Sequence, residues 1–97
     1  MVSNEIGKRR WGWAGGALHA VHFGDETVAF HEATASTHVF DKDTHRLVET
    51  LRQVQGTISG ADLWRDAFGV TASESDYEAL DQSLEALLRV GLVANLP

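Results

Sequence analysis

The chain has 97 residues, of which 43% are hydrophobic and 23% are charged, the size and composition of one small globular domain. Fourteen acidic residues against eight basic residues give a formal charge of −6, which disfavours nucleic acid and anionic membranes and favours a basic or neutral partner. The absence of cysteine excludes disulfides, thiolate catalysis and zinc–thiolate sites, and it agrees with a reducing cytoplasm.

Neither a membrane span nor a signal peptide is expected. The hydrophobic runs are all too short to cross a bilayer. The start, MVSNEIGKRRW, has charges but lacks the apolar segment that follows them in a signal peptide. We therefore expect a cytoplasmic protein with a flexible N-terminus over residues 1–9 and a single domain over residues 10–97.

The first half of the chain has the two-residue alternation of short strands. RWGW places Trp11 and Trp13 on one side, and ALHAVHF follows it up to a turn at GDE. TVAFHE and THVFD are two further strands, separated by a second turn at ATAS. Between Arg10 and Asp41 we therefore predict three short antiparallel strands.

From Asp43 onward the apolar spacing becomes that of amphipathic helices. Asp41 or Asp43 can cap the first helix, and Gly56 lies just past its end. Ser59 can cap a second helix, which Gly69 should end. The apolar stripes of these two helices are Leu47, Val48, Leu51 and Val54 in the first, and Leu63, Trp64, Ala67 and Phe68 in the second.

A third helix is expected to begin at Ser73, which can form a capping box with Asp76, and to stop before Gly91. After it, LVANL is expected to be a short extended tail. The order of elements predicts an α+β domain with a three-stranded antiparallel sheet followed by three helices, which resemble a helix-turn-helix core. The apolar stripe of the third helix is Tyr77, Leu80, Leu84, Leu87 and Leu88.

The five histidines give little support for a catalytic or metal site. His19 and His22 should point to opposite faces of a strand, and His31 and His38 could face each other across a hairpin, but no metal-binding spacing such as HExxH is present. We interpret them as surface or half-buried strand residues, and His45 as a solvated residue in the first turn of a helix. GxSxG and phosphate-loop motifs are also absent. We expect no catalytic residue, no metal site and no cofactor.

Two kinds of function remain open. The strand THVFD beside a leucine-rich helix would form a groove that accepts an extended peptide as an added strand, although most of these leucines should belong to the core. The alternative is a winged helix-turn-helix regulatory module that binds protein or DNA. The third helix carries five acidic residues and only Arg89 as a basic one, so DNA is the weaker of these partners.

Two segments, THVFDKDTHRLVETLRQVQGTISGADLWRDAF and LDQSLEALLRVGLV, resemble the PqqD-like family. This family consists of small peptide chaperones that recognise precursor peptides in ribosomally made peptide-modification systems, and the resemblance covers about Trp11 to Leu96. The STHVFD portion is similar to the branch found with a kinase related to HPr kinase, the HPr-rel-A system. That branch usually has Ser-Gly-Asp-Thr-His, whose glycine-acid part is replaced here by Ala35 and Ser36.

The resemblance implies a winged-helix-like fold without catalysis, in which a precursor leader peptide adds as a strand beside the third strand and packs against the third helix. It also implies a modifying enzyme as a partner, either a radical-SAM protein or a protein of the kinase-related system. A homodimer is a further prediction, because small sheets with free edges can pair between chains. Carried over by position, the implied peptide-binding residues are Thr37, His38, Val39, Phe40 and Asp41 on the strand, and Leu80, Ser83, Leu84 and Leu87 on the helix.

Overall fold

The computed structural model describes residues 5–96 and has an α+β fold with antiparallel strands, which confirms the predicted class. Three of its helices are the three that were predicted, and a single helical turn precedes them. In chain order the elements are α1 (Glu5–Lys8), β1 (Arg10–Trp13), β2 (Leu18–Phe23), β3 (Glu26–His31), β4 (Ser36–Asp41), α2 (Lys42–Gln53), β5 (Ile58–Ser59), α3 (Gly60–Phe68), α4 (Glu74–Arg89) and β6 (Val93–Leu96).

The strands form two three-stranded antiparallel sheets where one had been predicted. The meander β2–β3–β4 is the predicted sheet. RWGW does not belong to it, because β1 lies at the centre of the second sheet, between β5 and β6. The LVANL segment is not a tail but supplies β6, in which Val93 pairs with Trp13. Alternation of apolar residues identifies a strand but not its partner, and here the partner comes from the far end of the chain.

Both sheets and the three longer helices bury their apolar residues in one cluster. Trp11 of β1, Leu51 of α2, Leu63 of α3 and Leu84 of α4 are fully buried in it. Burial of a leucine side chain stabilises a fold by about 1.5–3 kcal/mol, so this cluster ties the second sheet firmly to the helices.

The helices begin at capping residues that the sequence contains. Asp41, and not Asp43, caps α2: its carboxylate accepts a hydrogen bond from the backbone N–H of Thr44 at 2.7 Å. Before α3, the hydroxyl of Ser59 accepts the backbone N–H of Asp62 at 3.2 Å. Because Asp41 is also the last residue of β4, strand and helix follow each other without a loop.

Helix α4 has a complete signal at each end. Ser73 and Asp76 form the capping box, each side chain accepting the backbone N–H of the other. At the other end the N–H of Gly91 donates to Leu88 and the N–H of Leu92 donates to Leu87, the pattern of a Schellman motif. Its turn requires a positive φ, which is +83° at Gly91, and it directs the chain back into β6.

The two faces of the β2–β3–β4 sheet differ in burial. Thr27 and His31 on β3 point into the molecule and are buried. The opposite face carries apolar side chains that remain exposed to solvent. These exposed residues are Val21, Phe23, Phe30 and Val39.

The proposed domain boundary after residue 9 stays a prediction. Part of the segment lies outside the described residues, and Glu5–Lys8 form the short helix α1. Within residues 5–96, none of the helices combines the length and the apolar character that crossing a membrane requires.

Candidate functional site: a groove between β4 and α4

Strand β4 lies at the edge of its sheet. It pairs with β3 from Ser36 opposite His31 to Asp41 opposite Glu26, and no strand of residues 5–96 pairs with its other side. In an antiparallel pair, alternate residues direct their N–H and C=O groups away from the partner strand. The outer edge of β4 therefore offers backbone donors and acceptors to a further strand.

A groove of about 580 Å³ runs between β4 and α4. One wall is strand β4, which carries backbone polar groups, and the other is a helix face with polar, small and apolar side chains. Volumes of this size are typical of ligand pockets. The lining residues are Thr37, His38, Val39, Phe40, Asp41, Thr44, Gln82, Ser83, Ala86, Leu87 and Val90.

A smaller cavity of about 150 Å³ adjoins the groove between α2, α3 and α4. The two share Asp41, Thr44 and Ser83 as lining residues, so the smaller cavity extends the groove toward the helices. Trp64 and Phe68 of α3 contribute aromatic surface to it. The pair offers an extended groove with an apolar side pocket.

The residues that the family resemblance placed at the peptide are distributed unequally. Thr37–Asp41 line the groove together with Ser83 and Leu87. Leu80 lines the smaller cavity instead, while Leu84 is fully buried and lines neither space. The structure thus brings most of these residues together, and peptide contact by them stays a prediction.

Three groove residues on the helix side were missed by the sequence analysis. Gln82 and Ala86 of α4 and its C-cap residue Val90 lie four residues apart and share one side facing β4. The leucine stripe chosen from the sequence is the neighbouring face, which packs in the core. The sequence pattern that could have identified them is this second face, which has the same helical spacing as the leucine stripe but is less apolar. It consists of one polar, one small and one apolar residue.

Two titratable side chains line the groove. Burial lowers the pKa of His38, and the nearby His31 lowers it further. The backbone N–H of Thr44, and then its hydroxyl, lower the pKa of the Asp41 carboxyl by hydrogen bonding. At neutral pH the groove therefore holds a neutral imidazole and one negative charge.

Two predictions about the histidines were wrong. His31 is 1% exposed: its Nδ1 is 2.8 Å from the hydroxyl of Thr34 and its Nε2 is 2.7 Å from the carbonyl oxygen of Gly15. These two hydrogen bonds offset the loss of water around the ring, because a buried imidazole needs a hydrogen-bond partner at each nitrogen. His45 is only partly exposed and packs edge-on against His22, with ring centroids 4.9 Å apart.

A metal site needs several ligating side chains close together. Among residues 5–96, no three His, Cys, Asp or Glu residues lie close enough together to hold an ion. His19 and His22 do point to opposite faces of β2, as the alternation predicted, since their partners on β3 are Phe30 and Thr27.

Comparison with known proteins gives one informative match. No protein-family model and no curated protein matches this chain. Among solved structures, TbiB1 in complex with the TbiA(β) leader peptide is similar, with a TM-score of 0.58 over 81% of this chain and 91% of that chain. The two chains share a fold. At 18% sequence identity the match describes the fold alone, and it includes most of both chains.

Proposed function

We propose that this chain is a non-catalytic protein that recognises the leader segment of a precursor peptide by adding it as a strand to β4. The observation that carries the proposal is the groove, which has a free strand edge on one side and a helix face of polar, small and apolar side chains on the other. The fold shared with TbiB1, whose structure holds a leader peptide, supports the same function.

Strand addition would give affinity and selectivity from different parts of the groove. The backbone of β4 supplies hydrogen bonds that any extended peptide can use. Side-chain preferences would come from the apolar surface of Phe40, Leu87 and Val90 and from the space above Ala86. The charge of Asp41 and the net charge of −6 favour a peptide with basic residues.

We further propose that the bound peptide is presented to a modifying enzyme in the cytoplasm. An open groove supports this step, because it holds one segment of the peptide and leaves the flanking residues accessible. The enzyme would be a radical-SAM protein or a member of the kinase-related system, and STHVFD favours the HPr-rel-A branch. A homodimer also stays a prediction.

The helix-turn-helix alternative is less well supported by the surface of α4. Asp81 and Glu85 lie 3.1 and 3.5 Å from the guanidinium of Arg9, while Glu74 and Glu78 are exposed to solvent. A helix with this surface would repel the phosphate backbone at the major groove.

Amide hydrogen exchange, followed by NMR, tests the proposal directly. A linear peptide is first selected on the full chain from a displayed library, and exchange is then compared with and without it. We expect alternate amides between Ser36 and Asp41 to gain protection, because only every second residue faces the free edge. The amides of β2, the opposite edge strand, serve as the internal control. Protection on β2 in place of β4 would contradict the assigned edge.

DNA binding is measured beside peptide binding at matched salt concentrations. Peptide binding without DNA binding is the expected result. Salt-sensitive binding to duplex DNA with no selectable peptide would overturn the proposal and favour the helix-turn-helix function.

A further inference from the structure

A continuous chain of hydrogen bonds connects the buried His31 to His38 in the groove. From Nδ1 of His31 it passes to the hydroxyl of Thr34, then to the hydroxyl of Ser36, and then to Nε2 of His38 at 2.7 Å. The turn between β3 and β4, closed by the N–H of Ala35 donating to the Glu32 carbonyl, places the two hydroxyls between the rings. The chain is anchored at its buried end by the carbonyl oxygen of Gly15, 2.7 Å from Nε2 of His31.

The anchor determines the direction of every hydrogen bond in the chain. A carbonyl oxygen only accepts, so Nε2 of His31 must carry a hydrogen and, in the neutral ring, Nδ1 must accept from Thr34. With its one hydrogen used, the Thr34 hydroxyl must accept from Ser36. For the same reason the Ser36 hydroxyl must accept from Nε2 of His38. Each contact then contains one hydrogen, and no other arrangement of neutral groups satisfies all of them.

The result is a single tautomer of His38, with the hydrogen on Nε2 and an acceptor lone pair on Nδ1. His38 lines the groove, and its ring lies parallel to that of Phe40 at 6.1 Å between centroids, which orients it beside the apolar wall. Burial, as the main cause of its lowered pKa, also disfavours the charged form that would turn Nδ1 into a donor.

We propose that this chain of hydrogen bonds makes His38 a fixed hydrogen-bond acceptor in the groove, so that the site selects peptides with an N–H or O–H donor opposite His38. The inference rests on the proposed function, and it adds the chemical class of one peptide position. Asp41 is the other titratable group of the groove, and it accepts as well. The residues of α4 that line the groove are uncharged, and Gln82 and Ser83 are the ones among them that can donate a hydrogen bond.

NMR of ¹⁵N-labelled histidine rings tests the tautomer without any peptide. Above the pKa of the imidazole, we expect His38 in the full chain to have a protonated Nε2 and an unprotonated Nδ1. Ser36→Ala removes the acceptor of the Nε2 hydrogen, so the nitrogen shifts of His38 should move toward a mixture of both tautomers. Ser75→Ala, at an exposed serine of α4, is the matched control and should leave them unchanged. A neutral His38 with its hydrogen on Nδ1, or shifts that Ser36→Ala does not alter, would overturn the inference.

A double-mutant cycle tests the selection. Donor side chains of a peptide selected on the wild-type chain are replaced one at a time, Ser by Ala, Thr by Val and Lys by Met, and each peptide is titrated against wild type and His38→Phe. At one peptide position the loss of the donor should weaken binding to wild type by about three- to tenfold and should leave binding to His38→Phe nearly unchanged. Should His38→Phe not fold, Ser36→Ala takes its place and should reduce the same effect.

The outcomes separate this inference from the proposed function. Peptide binding that shows no coupling to His38 at any position would overturn the selection and leave peptide recognition in place. A chain that binds no library peptide would contradict the proposed function, while the ring NMR would still decide the tautomer.

Discussion

The Asp41 carboxylate accepts the backbone N–H of Thr44 at 2.7 Å, which makes the last residue of β4 the cap of α2. Asp41 also lines the groove, so one residue fixes the end of the edge strand and the start of the helix beside it. The position of the groove wall is therefore coupled to the stability of α2.

Replacing the cap should destabilise the protein. Asp41→Ala leaves the N–H of Thr44 without its acceptor, and we expect the free energy of unfolding to fall by about 1 kcal/mol. Asparagine keeps the capping hydrogen bond and removes only the charge, so Asp41→Asn is the matched control and should lose less stability than Asp41→Ala. Urea denaturation measures both variants. Equal losses for the two would mean that the negative charge, and not the cap, provides the stability.

Acid should remove the part of this stability that depends on charge. The backbone N–H of Thr44 lowers the pKa of Asp41 in the folded state below its ordinary value of 3.8. Because the folded state binds this proton less readily, the contribution is present above that value and is lost as pH falls through the folded pKa. The difference in unfolding free energy between wild type and Asp41→Asn should therefore shrink below about pH 4. A difference that stays constant through the acid range would contradict the assignment.

Leu84 should matter for folding far more than for peptide contact. It is fully buried and lies outside the groove, so Leu84→Ala leaves a cavity and should cost about 2–5 kcal/mol of unfolding free energy. The neighbouring Ser83 lines the groove and is partly exposed, and Ser83→Ala should change stability by less than about 0.5 kcal/mol. Thermal and urea unfolding distinguish the two. A small loss for Leu84→Ala would show that its side chain is not a core residue.

Helix ends were predictable because their signals are local. Ser73 with Asp76, and Gly69 in the left-handed conformation, lie within one turn of the helix ends that they determine. The pairing of Trp13 with Val93 was not predictable in the same way, because these residues are far apart in the chain and either segment alone reads as a short strand or tail.

The same difference applies to the candidate site. The strand wall of the groove follows from the alternation in STHVFD and from the family resemblance. The helix wall could be predicted only by knowing which face of α4 packs in the core. The leucine face does so, which leaves the neighbouring face for the groove. The burial of His31 depends on Thr34, three residues on in the same turn, and on Gly15, which only the tertiary structure brings to its ring.

Filling the groove should weaken peptide binding at least about tenfold without unfolding the chain. Ala86 is exposed on α4 and lines the groove, so the long side chain of Ala86→Arg would occupy the space next to β4. Arginine is a good helix former, and the variant should keep the wild-type circular dichroism spectrum and melting temperature. Fluorescence anisotropy with a peptide selected on the wild-type chain should show at least about tenfold weaker binding, a loss of about 1.4 kcal/mol or more.

The matched control is Ala14→Arg, which adds the same charge at an exposed alanine outside the groove. If both variants lost affinity equally, added charge would explain the effect. Wild-type affinity in Ala86→Arg would show that the peptide binds elsewhere on the molecule.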